Sequence, residues 1–194
     1  GCVDFYKAAK KAGVKPIIGC EVYVATRTRF DKVNRIDGSN HLVLLCKNET
    51  GYRNLSYMVS QAYIEGFYIR PRIDLDLLRA HSEGLIGLSA CLAGEIPRRI
   101  INGDYDGAKA YALEMRDILG EGNFYLELQD HGIPDQTIVN RALLRMHNET
   151  GIPLVCTNDA HYLRKEDAES HDVLLCIQTG KTVDDENRMR YQPQ

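Results

Sequence analysis

The chain has 194 residues, 44% of them hydrophobic, and a formal net charge of -3 at pH 7. These totals suit one soluble globular domain and argue against nonspecific nucleic-acid binding by the whole surface, and no segment resembles a signal peptide or the roughly 20 apolar residues of a membrane helix. The six cysteines are scattered without a Cys-x-x-Cys pair, which favours reduced thiols in the cytoplasm over a disulfide scaffold or a zinc ribbon.

Both ends of the chain indicate a piece of a longer protein. The chain begins at Gly1 without a methionine, next to a helical pattern, and its last residues, 191–194, are polar and form no closing element. We therefore expect further sequence on both sides.

The first part of the chain alternates helical and extended patterns. Apolar residues at helical spacing from Phe5 to Ala12 predict an amphipathic helix that ends at Gly13. The β-branched run at residues 16–24 predicts a strand, which a single acid, Glu21, interrupts. A buried carboxylate needs a cation, a metal or good hydrogen-bond donors, although an outward-facing glutamate on a half-exposed strand also fits.

A polar, turn-like loop at residues 26–40 is the best candidate for contact with DNA. Its basic residues are Arg27, Arg29, Lys32 and Arg35. They could neutralise phosphates, although a charged loop is more often simply solvated. His41 then opens a strand at residues 41–46.

The remaining chain continues the alternation of helices and strands. Helices are predicted at residues 51–66, 75–81, 105–119, 134–150 and 165–178, and strands at residues 84–91, 124–129 and 151–157. About five strands alternating with helices predict a parallel sheet with right-handed crossovers, either open and doubly wound or closed as a barrel.

Reactive side chains follow several of these strands. Asp159 and His161 follow the apolar run at residues 151–157, which we interpret as a strand buried on both faces, and on extended backbone they would project to the same side. Cys91 ends the strand at residues 84–91. A closed barrel brings many strand ends to one centre, which favours the barrel. His131, beyond the strand at residues 124–129, is a weaker candidate.

Together the candidates form a set of oxygen, nitrogen and sulfur ligands suited to zinc or a related transition metal. They are Glu21, His41, Cys91, Asp159 and His161. The set is too rich for one tetrahedral ion, so we expect metals about 3.5 to 4 Å apart, which activate water and clamp a phosphoester. The alternative is an acid and a histidine in a solvated loop, and the remaining strand cysteines, Cys46 and Cys156, are expected to be inert and buried.

Seven segments closely resemble one known family. They are residues 15–21, 41–45, 48–55, 83–91, 126–132, 157–161 and 178–182. Their order and spacing are similar to the PHP (polymerase and histidinol phosphatase) domain of the DnaE-type bacterial replicative polymerases, the alpha subunits of DNA polymerase III, rather than to a free-standing phosphatase.

The resemblance implies an α/β fold, a distorted (β/α)7 TIM-like barrel with a metal cluster at its mouth. Residues 1–180 would be a partial PHP domain without its first two strands, and residues 181–194 a polar tail toward the rest of the polymerase. The family's ligands fall on the five residues already collected and not on His131. The family has four further ligands, which would precede Gly1: a His-x-His pair, an acid shortly after it, and the histidine of a Thr-Asp-His-Gly turn.

The resemblance also implies two activities for the parent protein. One is DNA-directed DNA synthesis, whose magnesium site lies outside this chain. The other is 3′-5′ exonuclease activity of the intact PHP domain with two or three zinc or manganese ions, in which Asp159 and His161 act as metal ligands. The truncated domain is not expected to be active. The expected partners are primer-template DNA and other DNA polymerase III holoenzyme subunits. The protein would work in the cytoplasm and would not bind a membrane. The alternatives are a catalytically silent scaffold and a stand-alone phosphoesterase of the histidinol-phosphatase kind.

Overall fold

A computed structural model describes residues 1–191. The helices are α1 (Cys2–Lys11), α2 (Glu49–Ile64), α3 (Leu75–Ala80), α4 (Glu95–Ile101), α5 (Tyr105–Leu119), α6 (Pro134–Thr150) and α7 (Ala168–Thr179), the last preceded by a 3-10 turn at Lys165–Asp167. The strands are β1 (Gly19–Ala25), β2 (Ser39–Cys46), β3 (Arg72–Ile73), β4 (Leu85–Leu88), β5 (Phe124–Leu128) and β6 (Leu154–Cys156). The last three residues of the expected polar tail lie outside the described residues.

The strands form one sheet in the order β3-β1-β2-β4-β5-β6. Strands β4, β5 and β6 pair in parallel, as do β1 and β3. Strand β2, however, is antiparallel to both β1 and β4, so the prediction of an all-parallel sheet is wrong. The loop between β1 and β2 contains no helix, and parallel neighbours need a long crossover, usually helical, so the chain simply turns back.

The architecture is a mixed α/β fold of the expected class, with the barrel incomplete. Among residues 1–191, β3 and β6 are the two edges of the sheet and do not pair with each other. The short strand β3 and the short helix α4 were not predicted. Within the described part of the chain, no helix combines the length and apolar character of a membrane span.

The helices α5 and α6 pack against the sheet as the apolar periodicity predicted. Gly120 follows helix α5. Helix α6 has a proline in its first turn and is followed by Gly151, whose backbone is left-handed (φ 73°); glycine adopts this conformation without steric penalty because it has no side chain. The fully buried centre of the core comprises Leu44, Met58, Ile73, Leu78, Leu85, Ile96, Met115, Phe124, Leu126, Leu143 and Met146. The core thus lies between the sheet and helices α2 to α6.

The predicted burial of strand β6 and of two cysteines is wrong. Strand β6 is not covered on both faces: Leu154 and Val155 are only half-buried, and Cys156 is exposed rather than an inert core residue. Cys46 is half-buried. Helix α1 buries none of its residues, and Phe5 is 53% exposed. Apolar spacing predicts that a helix has an apolar face but not that a neighbour covers it within this chain.

Candidate metal centre

The antiparallel pairing of β1 and β2 brings the first two candidate ligands together. Tyr23 lies opposite His41 and Glu21 opposite Val43, so Glu21 and His41 are diagonal neighbours on the same face. A Glu21 carboxylate oxygen, Oε1, lies 2.9 Å from Nδ1 of His41. The acid in strand β1 therefore meets an imidazole, while its side chain is still 39% exposed, as expected for a glutamate on a half-exposed strand.

A tight turn after β4 brings Cys91 to the same place. Ala90 adopts left-handed backbone (φ 64°), and Gly94 closes the turn by donating its N–H to the carbonyl of Cys91 at 2.8 Å. A side chain at Gly94 would come 2.3 Å from the Ser89 carbonyl oxygen, so only glycine fits. The N–H of His41 donates to the Ala93 carbonyl at 3.0 Å, which joins this turn to β2.

The three side chains form one compact donor group. Cys91 Sγ lies 3.5 Å from Nδ1 of His41, and one ligand atom from each of Glu21, His41 and Cys91 lies within 4.8 Å of the other two. Hydrogen bonds to Cys91 and Glu21 raise the pKa of His41 to about 9. The bond to His41 also lowers the pKa of Glu21, against the opposing effect of its burial. Carboxylate and imidazole thus stabilise each other's charged forms.

Asp159 and His161 line a cavity together with this group. The cavity, about 330 Å³ in volume, is lined by all five sequence-predicted ligands. The two residues are not on extended backbone as expected, because Asp159 has φ 44°. His161 Nδ1 lies 2.7 Å from the carbonyl oxygen of Asp159. A carbonyl only accepts, so Nδ1 carries the proton and Nε2 keeps its lone pair.

These donors fit a divalent transition metal. Carboxylate oxygen, imidazole nitrogen and thiol sulfur are all zinc ligands, and His161 has the arrangement typical of ligating histidines, with one ring nitrogen held by a backbone carbonyl. Glu21, His41 and Cys91 would hold a metal in the cavity. Asp159 and His161 supply further donors that line the same cavity but do not belong to the compact three-residue group.

The cavity wall also contains residues that the sequence did not single out. Tyr191 Oη lies 3.3 Å from His161 Nε2, and burial, with Asp159, Cys91 and Glu21 nearby, raises the pKa of Tyr191. Gln129, Met189 and Arg190 are further wall residues. The position of Gln129 at the end of β5 was a usable signal, because other strand ends supply ligands. The C-terminal residues gave no signal.

The basic loop after β1 contributes ion pairs within the domain. Arg27 contacts Asp37 through both Nε and Nη2 at 2.7 Å, which holds the pKa of that carboxyl at about 2. Arg29 contacts Glu65 at 2.8 Å and Asp74 at 3.1 Å. Half of the predicted DNA-binding group therefore serves internal contacts. DNA binding by the loop stays a prediction, with Arg27, Lys32 and Arg35 as its exposed basic residues.

Comparison with known protein families matches residues 1–131 to the family described as PHP domain. Among curated proteins, the chain is 50% identical over 192 residues to DNA polymerase III subunit alpha of Borreliella burgdorferi and 50% identical over 194 residues to that of Thermus aquaticus. It is 46% identical over 193 residues to the subunit of Treponema pallidum. Each match covers 98% of this chain but only 16 or 17% of the relative, so the chain spans about a sixth of the length of these proteins.

Proposed function

The chain belongs to the PHP domain family, and on this premise we propose that it carries half or more of a metal centre that hydrolyses DNA phosphodiesters in a DNA polymerase III alpha subunit. The observation that carries the proposal is the convergence of Glu21, His41, Cys91, Asp159 and His161 on one cavity. The proposed reaction is 3′-5′ exonuclease removal of the terminal primer nucleotide.

The residues of this chain would act mainly by binding and orientation. Glu21, His41 and Cys91 would bind zinc or manganese, with Asp159 and His161 as further ligands in the same cavity. Two or three such ions would supply Lewis acidity, activation of water and stabilisation of phosphoryl charge when bound. The carbonyl of Asp159 orients His161 through Nδ1, so that Nε2, which lies 3.3 Å from the Tyr191 hydroxyl, would be the ligating nitrogen in place of that contact.

The names of the relatives support the wider setting of this activity. The whole protein would be a DNA-directed DNA polymerase in replication, would work in the cytoplasm, and would bind primer-template DNA and other DNA polymerase III holoenzyme subunits. Its nucleotide-adding site, with magnesium, would lie outside these 194 residues. Within the chain, the proposed phosphate contacts are the basic residues of the loop after β1, Arg27, Arg29, Lys32 and Arg35, of which Arg29 is half-buried.

Asp159→Asn in the full-length protein tests the exonuclease. The substitution removes a metal-ligating charge from the cavity, so primer degradation should be abolished while nucleotide addition stays nearly intact. Single-turnover digestion of a 3′-labelled primer measures the first rate, and primer extension measures the second. Asp130→Asn is the matched control: Asp130 is exposed at the neighbouring strand end and does not line the cavity, so both rates should stay at wild type.

Other outcomes lead to other functions. Wild-type digestion by Asp159→Asn would remove Asp159 from the site. A wild-type protein without stoichiometric zinc or manganese and without primer digestion would favour the silent scaffold. Hydrolysis of a sugar or amino-alcohol phosphate, with none of DNA, would favour the small-molecule phosphoesterase.

A further inference from the structure

His131 lines the metal cavity, yet both of its ring nitrogens already have partners in the protein. Nε2 lies 2.6 Å from the carbonyl oxygen of Asn158, and Nδ1 lies 2.8 Å from the side-chain nitrogen of Gln136. Gln136 belongs to α6 and is only 4% exposed. The imidazole therefore bridges the start of α6 and the segment that carries Asp159.

These contacts fix the protonation of the ring. The backbone N–H of His131 donates to Oε1 of Gln136 at 2.7 Å, so the amide must present its NH₂ group to Nδ1. Nδ1 therefore accepts, and Nε2 must carry a proton, because the Asn158 carbonyl can only accept. The ring is neutral and has no free lone pair. His131 thus cannot ligate a metal while these bonds hold.

The segment held by His131 needs such support. Asp159 has a left-handed φ of 44°, a conformation that residues with side chains adopt far less readily than glycine. Two hydrogen bonds hold the residues immediately before it: His131 holds the carbonyl of Asn158, and Thr157 donates its hydroxyl to the buried carboxylate of Glu127. Backbone in sparsely populated regions persists where the surroundings over-determine it, and such residues cluster at functional sites.

We propose that His131 is a positioning residue for Asp159. Oriented by Gln136, its neutral imidazole holds the Asn158 carbonyl and so keeps Asp159 in the left-handed conformation that places it at the metal cavity. The proposal rests on the proposed metal-binding function and deepens it, since it assigns a role to a histidine that is not a ligand. Residues that support metal ligands without binding the metal themselves influence the geometry and the affinity of the site.

Two substitutions separate positioning from ligation. His131→Gln places an amide N–H near the position of Nε2, so the bond to Asn158 can persist, but removes the imidazole. His131→Asn places an acceptor near the position of Nδ1 and keeps the contact to Gln136, but is too short to reach Asn158. Zinc affinity of the full-length protein, measured by competition with a chelator, should fall about 10- to 100-fold in His131→Asn and stay within about 3-fold of wild type in His131→Gln.

The outcomes are distinguishable from failure of the metal centre itself. Equal loss in both variants would make the imidazole a ligand, and wild-type affinity in His131→Asn would leave Asp159 positioned without it; either result overturns the inference. If His131→Asn does not fold, retention of affinity by His131→Gln still decides the question. In an Asp159→Asn background, His131→Asn should weaken zinc binding no further, because the two changes act on one ligand. Unchanged zinc affinity in Asp159→Asn alone would instead contradict the proposed function.

Discussion

Four residues with side chains hold left-handed backbone in the described part of the chain, and two of them, Asp159 and Ile69, have φ of 44° and 62°. They differ in what surrounds them. Asp159 lies at the cavity, between hydrogen-bonded neighbours. Ile69 is 73% exposed in a surface turn in which Tyr68 donates its N–H to the Arg70 carbonyl at 3.0 Å. We infer that the strain serves the site at Asp159 and serves no comparable purpose at Ile69.

Ile69→Asn should therefore stabilise the domain. A β-branched side chain is poorly suited to left-handed backbone, asparagine tolerates it, and the exposed isoleucine loses little burial, so the free energy of unfolding should rise by about 1 kcal/mol. Denaturant titration measures the change. Ile64→Asn is the control, since Ile64 is 74% exposed but ends helix α2 with helical backbone. An equal gain in both variants would attribute the effect to lost surface hydrophobicity.

At the level of side chains, the sequence singled out the proposed ligands more readily than the residues that support them. Glu21 stood out because an acid interrupts an apolar strand, and Cys91, Asp159 and His161 because reactive side chains follow strand ends. The role of His131 could not be read in this way. It depends on Gln136 in the next helix and on the Asn158 carbonyl, and backbone carbonyls leave no pattern in a sequence.

Between elements, a single glutamate links helices α5 and α6. Glu149 accepts hydrogen bonds from Arg145 at 2.6 Å and from Lys109 and Tyr105 at 3.0 Å. The bonds from Arg145, then Lys109, then Tyr105 lower the pKa of Glu149 from its ordinary 4.5 to about 2. The guanidinium of Arg145 also lies 4.1 Å from the Tyr105 ring centroid, so the four side chains form one cluster.

This cluster should make stability depend on pH at the acid end. Because the folded pKa of Glu149 is depressed, its contribution is fully present above the unfolded value of 4.5 and is lost as pH falls toward 2. Glu149→Gln should therefore be less stable than wild type near pH 7, and the difference should shrink steadily below about pH 5. Thermal unfolding of both proteins from pH 7 to pH 3 measures it. A difference that does not change with pH would show that the charge of Glu149 is not involved.

Apolar periodicity predicted the long helices well, but it did not predict a short helix or the direction of a strand. Helices α5 and α6 were expected at almost their observed bounds, because several apolar turns repeat and glycine ends each helix. Helix α4 has only seven residues and contains Pro97, too few turns for a pattern to repeat. The direction of β2 was also missed, since antiparallel pairing depends on connections and partners rather than on the strand's own sequence.

Across the whole molecule, the site exists only because distant segments meet. Glu21 and His41 come from an antiparallel pair, Cys91 follows a strand antiparallel to β2, and Asp159 and His161 follow the edge strand β6. The described sheet is open at both edges, and the chain corresponds to 16 or 17% of its curated relatives. The proposed centre therefore draws its donors from strands and loops that are far apart along the chain.

Anomalous X-ray diffraction at the zinc edge, from crystals of the full-length protein grown with zinc, tests this convergence most directly. We expect peaks inside the cavity at about 2.0 to 2.3 Å from donor atoms of Glu21, His41 and Cys91, with Asp159 and His161 completing the same cluster. Zinc bound only at other surfaces, with the cavity donors contacting one another instead of an ion, would contradict the account.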